Sequence, residues 1–246
     1  MKINYREIEV NGYTLRGFFT TPDDGFRDVC VFFHGFTGHK NEHNFMFKQL
    51  SEKFAEIGIA SLRYDYRGSG DSDGDFSIQN YDTVLEDAEA MLKDAVKLNG
   101  GKKVIVLGFS MGGATAGRKT AMHPDLIKKA VLISPAAMLL RSLTRTFENP
   151  DLIVDNRYVD LGGYYIDISF RETLKGLDMY SDCDKFDGPV LIVQGTKDLA
   201  VFPEDSFGYT KHYPNCTYKT VEGAPHGYST VKMREELQKY ILDFLR

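Results

Sequence analysis

The chain has 246 residues, 42% hydrophobic and 26% charged, a length that suits one α/β domain with an insertion and a composition that excludes disordered, collagen-like and coiled-coil classes. Thirty basic against 35 acidic residues leave a formal charge of −5, which repels a phosphate backbone, so nucleic acid is not an expected partner. No run reaches the roughly 18 to 20 apolar residues that span a bilayer, and the start from Met1 to Glu7 has no apolar stretch after its basic residues, so no membrane association and a cytoplasmic location are expected. Three widely spaced cysteines, Cys30, Cys183 and Cys216, predict reduced thiols rather than a disulfide framework or paired metal ligands.

In chain order, extended segments are predicted at residues 5–10 and 14–20 and in the apolar run Val29 to Phe33. A helical pattern over 44–57 precedes a strand over 59–64. The next helix, over 80–98, carries Tyr81, Val84, Leu85, Ala88, Leu92 and Ala95 on one face. Then follow a strand at 104–107, a helix at 111–122 and a strand at 130–133. After a long irregular stretch come strands at 190–193 and 217–221 and a final helix over 229–245, with Met233, Leu237, Tyr240, Ile241 and Phe244 in one stripe. Runs of four or five apolar residues without alternation mark strands covered on both faces. Strand–helix alternation implies a mostly parallel sheet with its chemistry in loops at the carboxyl ends of the strands. The roughly 55 residues between Ser134 and Val190 are too many for a structureless loop in a compact domain. They are read as a cap at about 136–187 inserted into a single domain spanning 1–246.

The strand at 104–107 runs into Gly108-Phe109-Ser110-Met111-Gly112 and a helix follows. This is G-x-S-x-G in strand–turn–helix context, where a sharp turn lifts the serine hydroxyl out of the sheet. Ser110 is the expected nucleophile and needs a base held in one tautomer. Of six histidines, His226 alone leaves the last strand at the same sheet edge. Asp198, in Gly195-Thr196-Lys197-Asp198 after the preceding strand, supplies the acid and completes the order Ser, Asp, His. Asp182, Asp184 and Asp187 are rivals that precede that strand. The expected oxyanion donors are the N–H of Met111, after the nucleophile, and that of Phe36, in the loop His34-Gly35-Phe36-Thr37-Gly38. His34 is expected to shape that loop. The glycine-rich stretch Arg67 to Gly74 lacks the spacing of a nucleotide-binding loop and reads as a turn, with Asp65 and Arg67 paired. His39 and His43 lack a metal-site spacing, and Cys30 and Cys183 read as core and cap filler, so neither metal nor cofactor is expected.

Taken together, His34-Gly35-Phe36, Asp65-Tyr66-Arg67-Gly68-Ser69-Gly70-Asp71-Ser72, the Ser110 turn, Gly195 to Asp198 and His226 resemble the α/β-hydrolase superfamily over essentially the whole chain. The resemblance implies an eight-stranded, mostly parallel sheet flanked by helices. The compact size, the stretch His34 to Lys40 and an insertion carrying Gly162-Gly163-Tyr164-Tyr165 are similar to bacterial cinnamoyl and feruloyl esterases. That similarity implies a cap that holds a phenolic ring, with Tyr165 as a ring contact. The acidic cap residue of some members has no counterpart in Pro135 to Arg141, which is apolar and then basic.

The expected function is therefore a cofactor-free serine carboxylesterase acting on hydroxycinnamate esters, its partner a small-molecule ester. Because the histidine must be neutral to act as base, activity is expected to fall as pH drops through roughly 6 to 7. A generic short-acyl esterase, a monoglyceride lipase and a small-peptide hydrolase share the same three residues, and acyl transfer to an acceptor other than water also stays open. A binding protein that kept the fold without the chemistry is the alternative from another class. Serine at the turn disfavours dehalogenases, which place aspartate there, and dienelactone hydrolases, which place cysteine. Oligomeric state is not legible.

Overall fold

A computed structural model describes residues 1–246. The chain begins with an antiparallel hairpin, β1 (Lys2–Val10) and β2 (Tyr13–Thr21), then β3 (Asp28–Phe33), α1 (Met46–Glu56), β4 (Ile59–Tyr64), α2 (Tyr81–Leu98), β5 (Val104–Phe109), α3 (Met111–Met122) and β6 (Ile127–Ile133). An insertion then holds α4 (Leu139–Phe147), β7 (Ile153–Val154), β8 (Tyr158–Asp160), β9 (Tyr165–Asp167) and α5 (Phe170–Thr173). The main fold resumes with β10 (Val190–Gly195), α6 (Pro203–Gly208), β11 (Cys216–Val221) and α7 (Val231–Leu245). Eight strands form one sheet in the order β1-β2-β4-β3-β5-β6-β10-β11, and β7 to β9 form a separate small sheet. The six strands from β4 to β11 in that order pair in parallel, whereas β2 meets both β1 and β4 antiparallel. No helix is long and apolar enough to cross a membrane.

The non-alternating strands feed two cores, because successive side chains of a strand point to opposite faces. In β3, Val29, Val31 and Phe33 join one core with α2, α3 and the insertion, whereas Cys30 and Phe32 join the other with α1 and α7. In β5, Val104 and Val106 take the first side and Ile105, Leu107 and Phe109 the second. Phe147, Val159, Ile166 and Phe170 tie the insertion to the first core, all nearly or fully buried. Helix α2 starts at a reciprocal cap: Thr83 N–H donates to Asn80 Oδ1 at 2.9 Å, and Asn80 N–H donates to Thr83 Oγ1 at 3.0 Å.

Three expectations shift. Strand β6 begins at Ile127 rather than Ala130, because its two charged residues are satisfied at long range: Lys128 donates to Asp28 Oδ1 at 2.7 Å and Lys129 to the Phe244 carbonyl at 2.7 Å. Helix α1 begins at Met46, since Asn44 and Phe45 take left-handed backbone angles, φ 51° and 61°. The Asp65–Arg67 pair does not form. Asp65 is fully buried and accepts Lys40 Nζ at 2.6 Å and the Asp71 N–H at 2.8 Å. Arg67 instead reaches α2, with its Nε 2.9 Å from Asp87 Oδ1 and its N–H 2.8 Å from Asp87 Oδ2. The turn wraps tightly around the Asp65 carboxylate, where a Cβ on Gly70 would lie 2.1 Å from Asp65 Oδ2.

Candidate active site

The carboxyl ends of β3, β5, β10 and β11 deliver the singled-out residues to one place. At the end of β5, Ser110 holds φ 56° and ψ −120°, a strained conformation for a side-chain-bearing residue. Its N–H is tied to the Ile133 carbonyl at 2.9 Å, and its carbonyl accepts the Ala136 N–H at 3.0 Å. The flanking glycines are required by contact. A Cβ on Gly108 would sit 1.9 Å from the Gly112 carbonyl oxygen, and one on Gly112 would sit 1.9 Å from that of Phe33.

Ser110 Oγ lies 2.9 Å from His226 Nε2, and His226 Nδ1 lies 2.7 Å from Asp198 Oδ2. Asp198 is buried and fully committed. Its Oδ1 accepts the Ala200 and Val201 N–H groups at 3.0 and 2.9 Å, and its Oδ2 also accepts Gln194 Nε2 at 3.0 Å. Burial pushes this carboxyl up, but the His226 hydrogen bond and charge and the two N–H groups outweigh it and hold it below the usual carboxylate range. An ionised Asp198 accepts from Nδ1–H, which leaves Nε2 bare to accept the Ser110 hydroxyl proton. Arg234 of α7 braces the histidine loop: its Nε donates to the Tyr228 carbonyl at 3.0 Å and a terminal nitrogen donates to the Asn44 carbonyl at 2.6 Å.

Ser110 and His226 open into a cavity of about 250 Å³ that Phe36, Thr37, His39 and Glu42 also line. Met111 is the first residue of α3, so its N–H belongs to the unpaired donors of a first helical turn and lies at the positive end of the helix. The Phe36 N–H has no partner within the chain. His34 shapes this loop: its Nδ1–H donates to the Gly35 carbonyl at 2.9 Å and its Nε2 accepts the Tyr66 N–H at 3.1 Å. Burial holds His34 down at about 4, so the ring is neutral near pH 7.

Neither Tyr164 nor Tyr165 lines the cavity at Ser110. Tyr165 is 46% exposed, its ring 6.0 Å from that of Tyr158, and it lies outside the cavity at Ser110. Tyr164 packs 4.9 Å from Phe76, and the two wall a second cavity of about 310 Å³ that shares Thr37, Gly38 and His39 with the first. Tyr164 lies in the turn that leads into β9, and Tyr165 is the first residue of that strand. Asp182, Asp184 and Asp187 are exposed, and none of them touches His226. Cys30 and Cys183 are buried, with burial pushing both thiols up, Cys183 to about 11. No cluster of three His, Cys, Asp or Glu side chains suited to a metal ion is present. Sequence reading passed over Glu42, which binds back to the turn before it, Gln194, which binds the loop after its own strand, and Arg234, which reaches the Asn44 carbonyl. The signal for Glu42 was its place just beyond the Gly35–Gly38 turn.

Comparison with known proteins gives a consistent result. The profile of the Hydrolase_4 family, described as serine aminopeptidase S33, matches residues 25–150. A protein described as an esterase/lipase from Haemophilus influenzae is 26% identical over 229 residues, spanning 80% of this chain and 76% of its own length. Monoacylglycerol lipase from Mycolicibacterium smegmatis is 30% identical over 117 residues, or 47% of this chain and 40% of its own. The structure of Est1E from Butyrivibrio proteoclasticus with ferulic acid bound superposes with a TM-score of 0.84 at 30% identity, covering 97% of this chain and 98% of that one.

Proposed function

The chain belongs to the Hydrolase_4 family of α/β-hydrolases (serine aminopeptidase, S33), and from that premise we propose that it is a serine carboxylesterase acting on small hydroxycinnamate esters. Ester hydrolysis is the chemistry of the esterases and lipases it resembles. In the proposed cycle Ser110 Oγ attacks the ester carbonyl carbon while His226 Nε2 takes its proton, and Asp198 stabilises the imidazolium that forms. The Phe36 and Met111 N–H groups hold the oxyanion, each worth roughly 3 to 4 kcal/mol in the transition state. His226 returns the proton to the departing alcohol, leaving the acyl group on Ser110, and a water activated by the same histidine then releases the acid. The cycle calls on no cofactor.

One observation carries the substrate proposal. The cavity at Ser110 and His226 and the groove lined by Phe76 and Tyr164 share the Thr37–His39 segment as a wall. Phe76 and Tyr164 pack edge to face in that groove, an aromatic surface that suits a planar phenolic acyl group. In this reading the insertion acts as a cap and supplies Tyr164 to the acyl group, while Tyr165, which the family resemblance implicates, lines neither cavity. The ferulic acid bound in Est1E is in keeping with the proposal. A second reading rests on an apolar cavity of about 360 Å³ lined by Met138, Leu140, Leu174, Leu177 and Met179, which suits an aliphatic acyl chain. Methyl ferulate and methyl butyrate share a leaving group and separate the two. The account expects kcat/KM for the ferulate to be higher by about 10-fold or more, a difference of roughly 1.4 kcal/mol. A preference for butyrate would overturn the hydroxycinnamate assignment in favour of the aliphatic one.

A further inference from the structure

Glu42 is the one buried carboxyl on the wall of the Ser110 cavity that the cycle above leaves without a task. Its backbone is strained, φ 57° and ψ 172°, a region that side-chain-bearing residues occupy only where their surroundings force it. Both carboxylate oxygens are spent on backbone donors. Oε1 accepts the Gly35 N–H, and Oε2 accepts the His43 N–H at 2.9 Å. No lysine or arginine pairs with it. The carboxylate also fills the inside of the turn: a Cβ on Gly38 would lie 2.7 Å from Oε1, and one on Gly35 would lie 3.3 Å from Oε1 and 3.3 Å from Ser110 Cβ.

We propose that Glu42 is a positioning residue for the oxyanion site: its buried carboxylate takes up the Gly35 N–H and fixes the Gly35–Gly38 turn, so that the next N–H, that of Phe36, stays free for substrate. The inference rests on Phe36 and Met111 being the oxyanion donors. Two successive N–H groups at the head of this loop are thereby divided, one bound by the protein and one left for the reaction. The charge of His226 also acts on this carboxylate. Burial pushes the Glu42 carboxyl above its usual range, and the two N–H groups and His226 pull it back. The other titratable or charged groups around His226 are Asp198 after β10, His39 and His43 in the loop before α1, and Arg234 of α7, which reaches only backbone carbonyls.

The test uses 4-nitrophenyl acetate, which any serine esterase of this kind turns over, with the wild type, Glu42→Gln and Gly38→Ala. Gly38→Ala crowds the carboxylate, and also the Gly35 carbonyl oxygen at 3.0 Å, while the Glu42 charge is retained. In both variants kcat is expected to fall about 10- to 100-fold with KM within about 3-fold, because the lost interaction exists only in the transition state. In Glu42→Gln the acid limb of kcat/KM also moves to lower pH, since Glu42 and His226 act on each other through charge and removing a negative charge disfavours the imidazolium. In Gly38→Ala that limb stays near its wild-type position. Wild-type kcat in Gly38→Ala overturns the positioning role even if Glu42→Gln does not fold. A loss expressed only in KM, or an unmoved acid limb in a folded Glu42→Gln, overturns it equally. A wild type that fails to hydrolyse 4-nitrophenyl acetate overturns the esterase reading, and this inference with it.

Discussion

Ser110→Ala is expected to lower kcat for ester hydrolysis by about 10⁴-fold or more, with KM and melting temperature close to wild type. The substitution removes one atom, Oγ, whose side-chain partner is His226 Nε2 at 2.9 Å. The backbone strain at φ 56° and ψ −120° is the same for alanine as for serine, so the turn keeps its shape. The His226 side chain is 24% exposed, and water can take the place of the lost hydroxyl, which limits the stability cost to about 1 kcal/mol. Steady-state kinetics alongside thermal denaturation checks both halves. A variant that keeps more than a few per cent of wild-type kcat would place the nucleophile elsewhere.

Asp198→Asn is expected to cost about 10⁴-fold in kcat at neutral pH for a different reason. The Oδ1 position faces two backbone donors, the Ala200 and Val201 N–H groups at 3.0 and 2.9 Å, so an asparagine settles with its carbonyl oxygen there. Its NH₂ then points at His226 Nδ1 and at Gln194 Nε2, two positions at which Asp198 had been an acceptor. The amide donates to Nδ1, the ring proton moves to Nε2, and the atom that should receive the Ser110 proton is already protonated. Substrate binding is left intact, so the loss falls on kcat with KM within about 3-fold. Activity within 10-fold of wild type would mean that another acid orients the histidine. Asp182, Asp184 and Asp187 are too exposed to do so without a rearranged loop.

The sheet was legible because its strands are covered on both faces, and a strand so placed must be apolar at every position. Val29 to Phe33 and Val104 to Leu107 carry that signature. The eight-stranded, mostly parallel sheet and the relation to α/β-hydrolase esterases follow the expectation drawn from the motifs. Ser110, Asp198 and His226 were legible because each follows a recognisable strand, and strand ends in a parallel sheet converge on one edge. Residues whose meaning lies in a distant partner stayed hidden. Lys128 and Lys129 hid the start of β6 because their partners are Asp28 and Phe244. Asp65 and Arg67 look paired as neighbours, yet one belongs to Lys40 and the other to Asp87. The insertion was legible only as an interruption, since strands of two or three residues are too short to set a period. Tyr164 lies in the turn before β9 and meets Phe76, a partner far along the chain, so its placement could not be read from local sequence.

The central claim is that Ser110 carries the acyl group between the two half-reactions. Its most direct test is intact-mass and peptide-level mass spectrometry after acid quench of the wild type and Ser110→Ala during turnover of a 4-nitrophenyl ester. The account predicts one acyl group per wild-type chain, on the peptide containing Ser110, and none on the variant. An acyl adduct on another residue, or wild-type turnover with no adduct together with an active Ser110→Ala, would contradict it.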